Sequence, residues 1–395
     1  MKIINLKWIL SLGLLLICAQ ACQETPLSAD AEIDDERSKG TSVDKFALWQ
    51  EHAYFRGAAI HPYAPFGEEE EENRTYATRQ DFQSLKDEGA NTIILNYPGP
   101  FQVEAPYGTD EEALRYLDEA IDWAEEVGLY AIIHFRNGPG KHEDSFAGDP
   151  RRDETFWYSD EEQEKWVEMW QFVADRYEDR SHIVAYNLMV EPHPEDPAEQ
   201  EPLEASVWND LAKRITEAIR EVDGQTPLIV SATVWSNPVA FADLEPTGDS
   251  KTIYSFHLYE PFQFTHQGME WAGMEDVEDL TYPGLIPSDL FEETRYWDKS
   301  LIEEFLEPVK TFQQENNIPI FVGEFGCNRA IPTCVDYMSD LLTLFSELGW
   351  SHTFYIWGED DGFDYRKGVS GSETIETSEY LEIFREDWSG NESFE

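Results

Sequence analysis

The sequence predicts an α/β protein in which eight strands close into a (β/α)₈ barrel within a single domain, and three observations carry that prediction. Short apolar or β-branched runs recur eight times, with helical patterns between them. Runs such as Thr92-Ile93-Ile94-Leu95 are apolar at every position, which suits a parallel strand covered on both faces. The first run contains Arg56-Gly57-Ala58-Ala59 and no glycine-rich phosphate loop, so an open doubly wound sheet is the weaker alternative.

Taken in order, the strands are expected over residues 55–60, 91–96, 130–136, 184–190, 228–232, 253–258, 320–324 and 353–357. Helical periodicity places helices over 77–88, 110–127, 160–177, 203–222, 298–315 and 335–348. Gly89, Gly128 and Gly349 follow the last turns of three of them, where a left-handed residue ends a helix. The helix after the fifth strand is weak, because 239–244 offers little more than one turn. The connection over 260–297 is long and aromatic, and is expected to shape a cleft.

The 395 residues are 41% hydrophobic, enough for a full core, and carry 81 acids against 28 bases for a net charge of −53. A surface this acidic repels phosphate backbones and anionic headgroups, which excludes nucleic acid as a partner. Acids appear on nearly every expected helix, so the charge reads as a solvated coat of the kind that suits high salt, where screening removes self-repulsion. The run 68–72 lacks the turn residues that alternate with ligands in calcium loops.

Residues 1–21 have the layout of an export signal: Lys2 and Lys7, an apolar stretch, then Ala19-Gln20-Ala21. Cys22 follows at once, as in a bacterial lipoprotein, although Ala19 stands where such signals carry Leu; lipid attachment at the cell surface and plain release are both open. Residues 22–45 read as a flexible acidic tether and 46–390 as the catalytic domain, expected to be monomeric. Cys327 and Cys334 remain, seven residues apart around Pro332. Without further Cys or His at ligand spacing they are expected to form a disulfide rather than a metal site.

Barrel enzymes carry their working groups at the C-terminal ends of the strands. Glu191, in Glu191-Pro192-His193, and Glu324, in Gly323-Glu324-Phe325-Gly326, each follow an apolar strand that would otherwise bury a lone carboxylate at a cost. Carboxyls on the fourth and seventh strands face one another across the axis. A separation of ~5–5.5 Å would suit retaining glycoside hydrolysis, which needs no metal or organic cofactor. His257 and Tyr259 end the sixth strand and Trp357 the eighth.

With these residues, the stretch 46–388 resembles the (β/α)₈ retaining glycosidases of clan A, most closely glycoside hydrolase family 5, the cellulase and mannanase family. The resemblance implies Glu191 as acid/base and Glu324 as nucleophile, acting on a β-glucan or β-mannan. It further implies that the Tyr259 hydroxyl bonds the nucleophile, beside His257, and that Trp357 floors the subsite of the cleaved sugar. Three positions depart from the family pattern: Val190 stands where the family has Asn, Ile94 falls near its strand-two Arg, and His134-Phe135-Arg136-Asn137 ends the third strand. Arg136 is placed to take over the missing guanidinium's role.

His61, His134, Asn137, His193, Trp235 and Asn237 are further candidates for sugar contact. About two platforms are expected among Trp157, Tyr158, Phe262, Phe264, Trp271 and Trp297, since sugar C–H faces stack on rings. Two other functions compete: a glycan-binding surface lipoprotein on an inactive barrel, which has no reason to keep both glutamates, and a transglycosylase, which shares every catalytic group.

Overall fold

The computed structural model describes residues 44–64, 75–142, 155–196, 201–288, 290–291, 293–358 and 362–391. The export signal, Cys22, most of the tether and the acidic run 68–72 lie outside the described residues.

Eight parallel strands form a closed barrel: Arg56–Ile60, Thr92–Tyr97, Tyr130–Phe135, Ile183–Asn187, Leu228–Ser231, Thr252–Leu258, Ile320–Phe325 and Ser351–Phe354. Each pairs with the next, and the eighth pairs with the first at Arg56 with His352. Every residue of the second and third strands is buried, as a ladder packed inside by side chains and outside by helices requires. The helix Glu111–Val127 shows how the outer layer starts and stops. Asp110 accepts from the amides of Glu112 and Ala113, and Gly128 ends the helix at φ 78°.

The structure departs from expectation at two elements. The segment expected as one helix over 298–315 is two, Lys299–Phe305 and Glu307–Asn316, because Pro308 lies in the first turn of the second and cannot continue the first. After the fifth strand the weak helical pattern over 239–244 is answered, as expected, by no more than a short 3₁₀ segment, Pro238–Ala242. The eighth strand ends at Phe354, three residues before the expected end; the Tyr355 and Trp357 amides still donate to the Phe325 carbonyl at 3.1 Å and the Ala59 carbonyl at 2.8 Å, while the Trp357 indole turns onto the helix Arg79–Asp87.

The long aromatic connection contains a helical turn, Phe262–Thr265, and an antiparallel hairpin of Gly284–Ser288 with Glu293–Trp297. A further helix, Glu379–Trp388, covers the eighth strand. Phe384 stacks on Phe354 at 4.3 Å, and Asp387 Oδ2 lies 2.9 Å from His352 Nε2. No helix among the described residues is long and apolar enough to cross a membrane.

Candidate active site

The centre of the barrel mouth is a close row of Glu191, His257 and Glu324, hydrogen-bonded at its first link and ion-paired at its second. His257 Nδ1 lies 2.8 Å from Glu191 Oε1 and 3.6 Å from Glu324 Oε2, and the Tyr259 hydroxyl donates to Glu324 Oε2 at 2.9 Å. One oxygen of each carboxylate and one His257 nitrogen all fall within 4.8 Å of one another. The 2.8 Å contact is an ordinary hydrogen-bond length, so Glu191 and His257 touch directly without a bridging group.

Local structure explains how an apolar strand end presents charge. The sixth and seventh strands pair Phe256 with Val322 and then His257 with Glu324, a bulge that leaves Gly323 extra. A side chain at Gly323 would meet His257 Nε2 at 3.1 Å and Ser255 Oγ at 2.9 Å, so only glycine lets the imidazole lie over the strand. Glu191 lies past the end of the fourth strand at φ 45°, a left-handed conformation that costs a non-glycine residue of order 1–3 kcal/mol and clusters at functional sites.

Electrostatics separate the members of the row. Burial pushes the Glu324 carboxyl above its usual range. His257, Arg136 and the Tyr259 hydrogen bond pull it back, while the Glu191 charge adds to the rise. Burial alone would lower His257, but the charges of Glu324 and Glu191 outweigh it and the imidazole is raised. Tyr259 is held well above its usual value by burial and the Glu324 charge, so it remains a donor. The Arg136 charge lowers His61, His134, His257 and Glu324 alike.

Several expected substrate contacts sit elsewhere. Trp357 is 1% exposed, and its indole N–H bonds the Asp81 carbonyl at 3.0 Å and Ser84 Oγ at 3.2 Å, so it anchors the helix Arg79–Asp87 rather than flooring a subsite. Tyr355, the first residue past the eighth strand, takes the position facing the site: it is half-buried, 5.5 Å edge-on from His61 and 5.6 Å from Phe363. The misplaced strand end hid it. His134 is wholly buried inside the barrel, 6.5 Å from the His257 ring, and is out of reach of a sugar. Asn137 accepts from the Gly99 amide at 3.0 Å and ties two loops together.

His61 is buried beside Tyr355, with Asn96 Nδ2 at 3.5 Å. His193 stacks on Trp235 at 4.6 Å, within a left-handed turn formed by Val234, Trp235 and Ser236. Asn237 caps the 3₁₀ segment and reaches Glu260 at 3.5 Å. Among the loop aromatics, Trp157, Phe264 and Trp297 are buried packing residues and Phe262 is partly buried against His266, whereas Tyr158 and Trp271 are 54% and 64% exposed. Ring contacts run from Trp271 through Phe363 to Tyr259, which bonds Glu324. Cys327 and Cys334 are joined, with Cα atoms 6.1 Å apart, and the loop they close begins three residues after Glu324.

Comparison with known proteins agrees with this geometry. The model of the family described as cellulase (glycosyl hydrolase family 5) matches residues 55–361. Endoglucanase C of Acetivibrio thermocellus is 24% identical over 345 residues, covering 80% of this chain and 94% of that protein. Among solved structures, the endoglucanase Cel5A of Thermotoga maritima superposes with a TM-score of 0.67 at 22% identity, covering 87% of this chain and all of that one. A second structure of that protein, described in complex with mannotriose substrate, gives 0.66 at 21% identity, covering 86% of this chain and all of that one.

Proposed function

The chain belongs to glycosyl hydrolase family 5 and is a glycoside hydrolase, and from that premise we propose that it cleaves a β-linked glucan with retention of anomeric configuration. The observation that carries the mechanism is the short approach of the two carboxylates, with oxygens within 4.8 Å. Retaining enzymes hold their carboxyls ~5–5.5 Å apart, whereas inverting enzymes leave ~6.5–9.5 Å for a water.

Glu324 is the nucleophile. It attacks the anomeric carbon opposite the leaving group, and its developing ester replaces a charge that Tyr259, His257 and Arg136 have stabilised. Glu191 gives its proton to the glycosidic oxygen, and His257 holds the Glu191 carboxyl in line. In the second half Glu191 takes a proton from water, which displaces Glu324 from the sugar and restores both groups.

The glucan assignment is supported by relatives that are endoglucanases. A β-mannan is the second reading, supported by the neighbour described with mannotriose. Transglycosylation would differ only in the acceptor that resolves the intermediate. The basic and apolar stretch ahead of Cys22 supports export, with Cys22 as the residue that would carry a lipid. The abundant acids support a working environment rich in salt.

Substituting Glu324→Gln should abolish turnover, and a variant keeping more than a few per cent would remove Glu324 from the role. Glu191→Ala should slow natural glycans far more than activated aryl glycosides, and azide should rescue the latter as the β-glycosyl azide. An inverted product anomer in the NMR spectrum would sink the double-displacement scheme.

A further inference from the structure

A cavity of about 390 Å³ whose lining contains neither carboxylate lies between the second strand and the helix Glu111–Val127, with Pro62 in its wall. Its walls are Tyr97, from the end of the second strand; Tyr76, from the short strand Thr75–Tyr76; and Tyr116, Glu119 and Trp123 from the helix Glu111–Val127. The three helical residues fall at i, i+3 and i+7, so one helix face supplies them all. Tyr76 and Tyr116 stack at 5.6 Å, and the Arg115 guanidinium covers Tyr116 at 4.2 Å while pairing with Glu119 at 3.1 Å.

Two polar groups in these walls have no hydrogen-bond partner among the described residues: the Tyr97 hydroxyl and Trp123 Nε1. The Tyr97 ring is buried, with the residue 1% exposed, while its hydroxyl opens into the cavity and is available to a ligand's acceptor. Burial and then the charges of Asp81 and Glu119 hold its phenol well above the usual value, so it remains a donor.

The lining selects a ligand class. Aromatic walls want an apolar ring face, the two free donors want acceptors, and the Arg115–Glu119 pair can both donate to and accept from neighbouring hydroxyls. The net charge of −53 disfavours anions. A pyranose meets all these demands, with apolar C–H faces and a rim of hydroxyls, and the cavity falls within the ~300–1,000 Å³ common for small-ligand sites. We propose that this cavity is a second glycan-binding site, separate from the cleft, that takes a segment of the same β-linked chain the cleft cleaves. The choice of glycan rests on the hydrolase reading above; the existence of a site does not.

The test is a calorimetric titration of the full chain carrying Glu324→Gln with cellotetraose, and in parallel with mannotetraose. With one of these sugars a binding event should vanish when Arg115→Ala and Tyr116→Ala are added. Tyr97→Phe, which keeps the ring, should weaken that event by about five- to tenfold. Thermal midpoints of the variants show that each is folded. If neither sugar gives a binding event that these substitutions weaken, the cavity site is overturned. Reducing-end release by the wild-type chain from β-glucan and β-mannan is measured alongside. No release overturns the hydrolase reading, whereas release together with substitution-insensitive binding overturns the cavity alone.

Discussion

Glu324 carries a tension between reactivity and stability that titration should expose. Burial raises its carboxyl, so the folded chain holds that proton more tightly than the unfolded chain does. Where the native state binds more protons, stability falls as pH rises through the window between the unfolded and folded values. Below the unfolded value both states are protonated, and Gln and Glu are then equivalent. Glu324→Gln should therefore raise the melting temperature at neutral pH, with a gain that shrinks towards zero as the buffer is taken below about pH 4. His257 is raised too, and its contribution is full below the ordinary imidazole value and lost above the folded one, so both groups slope the same way. A wild-type melting temperature that rises steadily from pH 5 to 8, parallel to that of the Gln variant, would contradict this account. The exchange of Trp357 for Tyr355 is tested at the same scale. Tyr355→Ala should lower kcat/KM by about tenfold or more with little loss of stability, because it removes an open ring. Trp357→Phe removes two buried hydrogen bonds and some packing, which should cost ~1–3 kcal/mol of stability while leaving kcat/KM within about twofold. The reverse pattern in kinetics would restore Trp357 to the subsite.

At the scale of elements, the bulge between the sixth and seventh strands sets the geometry of the row. Gly323→Ala would drive a methyl against His257 and Ser255, and the imidazole would have to swing off the line between the carboxylates. A displacement near 1 Å in a catalytic group can cost on the order of 10²-fold, so kcat should drop roughly 10- to 100-fold. Overpacking should cost ~1–3 kcal/mol of stability as well. Full activity in this variant would mean that His257 has no part in aligning Glu191. The ends of the strands also explain which site residues were legible in sequence. Glu191 and Glu324 stood out because charge interrupts an apolar run, and that contrast survives any error of one or two residues in the strand boundary. Trp357 and His134 were misassigned because apolar or weakly polar residues give no such contrast; a slip at the end of the eighth strand moved the wrong ring into the cleft.

At the scale of the molecule, 81 acids against 28 bases confine like charge on one surface, and the surface ion pairs present recover little of it, because exposed pairs contribute ~0–1 kcal/mol each. Screening should therefore stabilise the fold. The melting temperature should climb by several degrees between low salt and ~1 M NaCl, most steeply between ~0.01 M and ~0.1 M, where the Debye length falls from ~30 Å to ~10 Å. An uncharged osmolyte of equal osmolarity controls for strengthened apolar burial. A flat or falling curve over the dilute range would mean that the acids are already offset locally, and the salt-adapted reading would fail.

Periodicity and charge contrast alone determined the barrel class, the order of its strands and the two carboxylates, because each rests on a pattern repeated along the chain or on a residue type that an apolar strand excludes. The tertiary structure decided everything that depends on two distant segments meeting. It set His257 between Glu191 and Glu324 and gathered Tyr97, Tyr116 and Trp123 around one cavity. It also turned Trp357 away from the site while Tyr355 faced it. A side chain's direction at a strand end follows from what packs against it, and that information lies in the partner segment rather than in the residue's own neighbours.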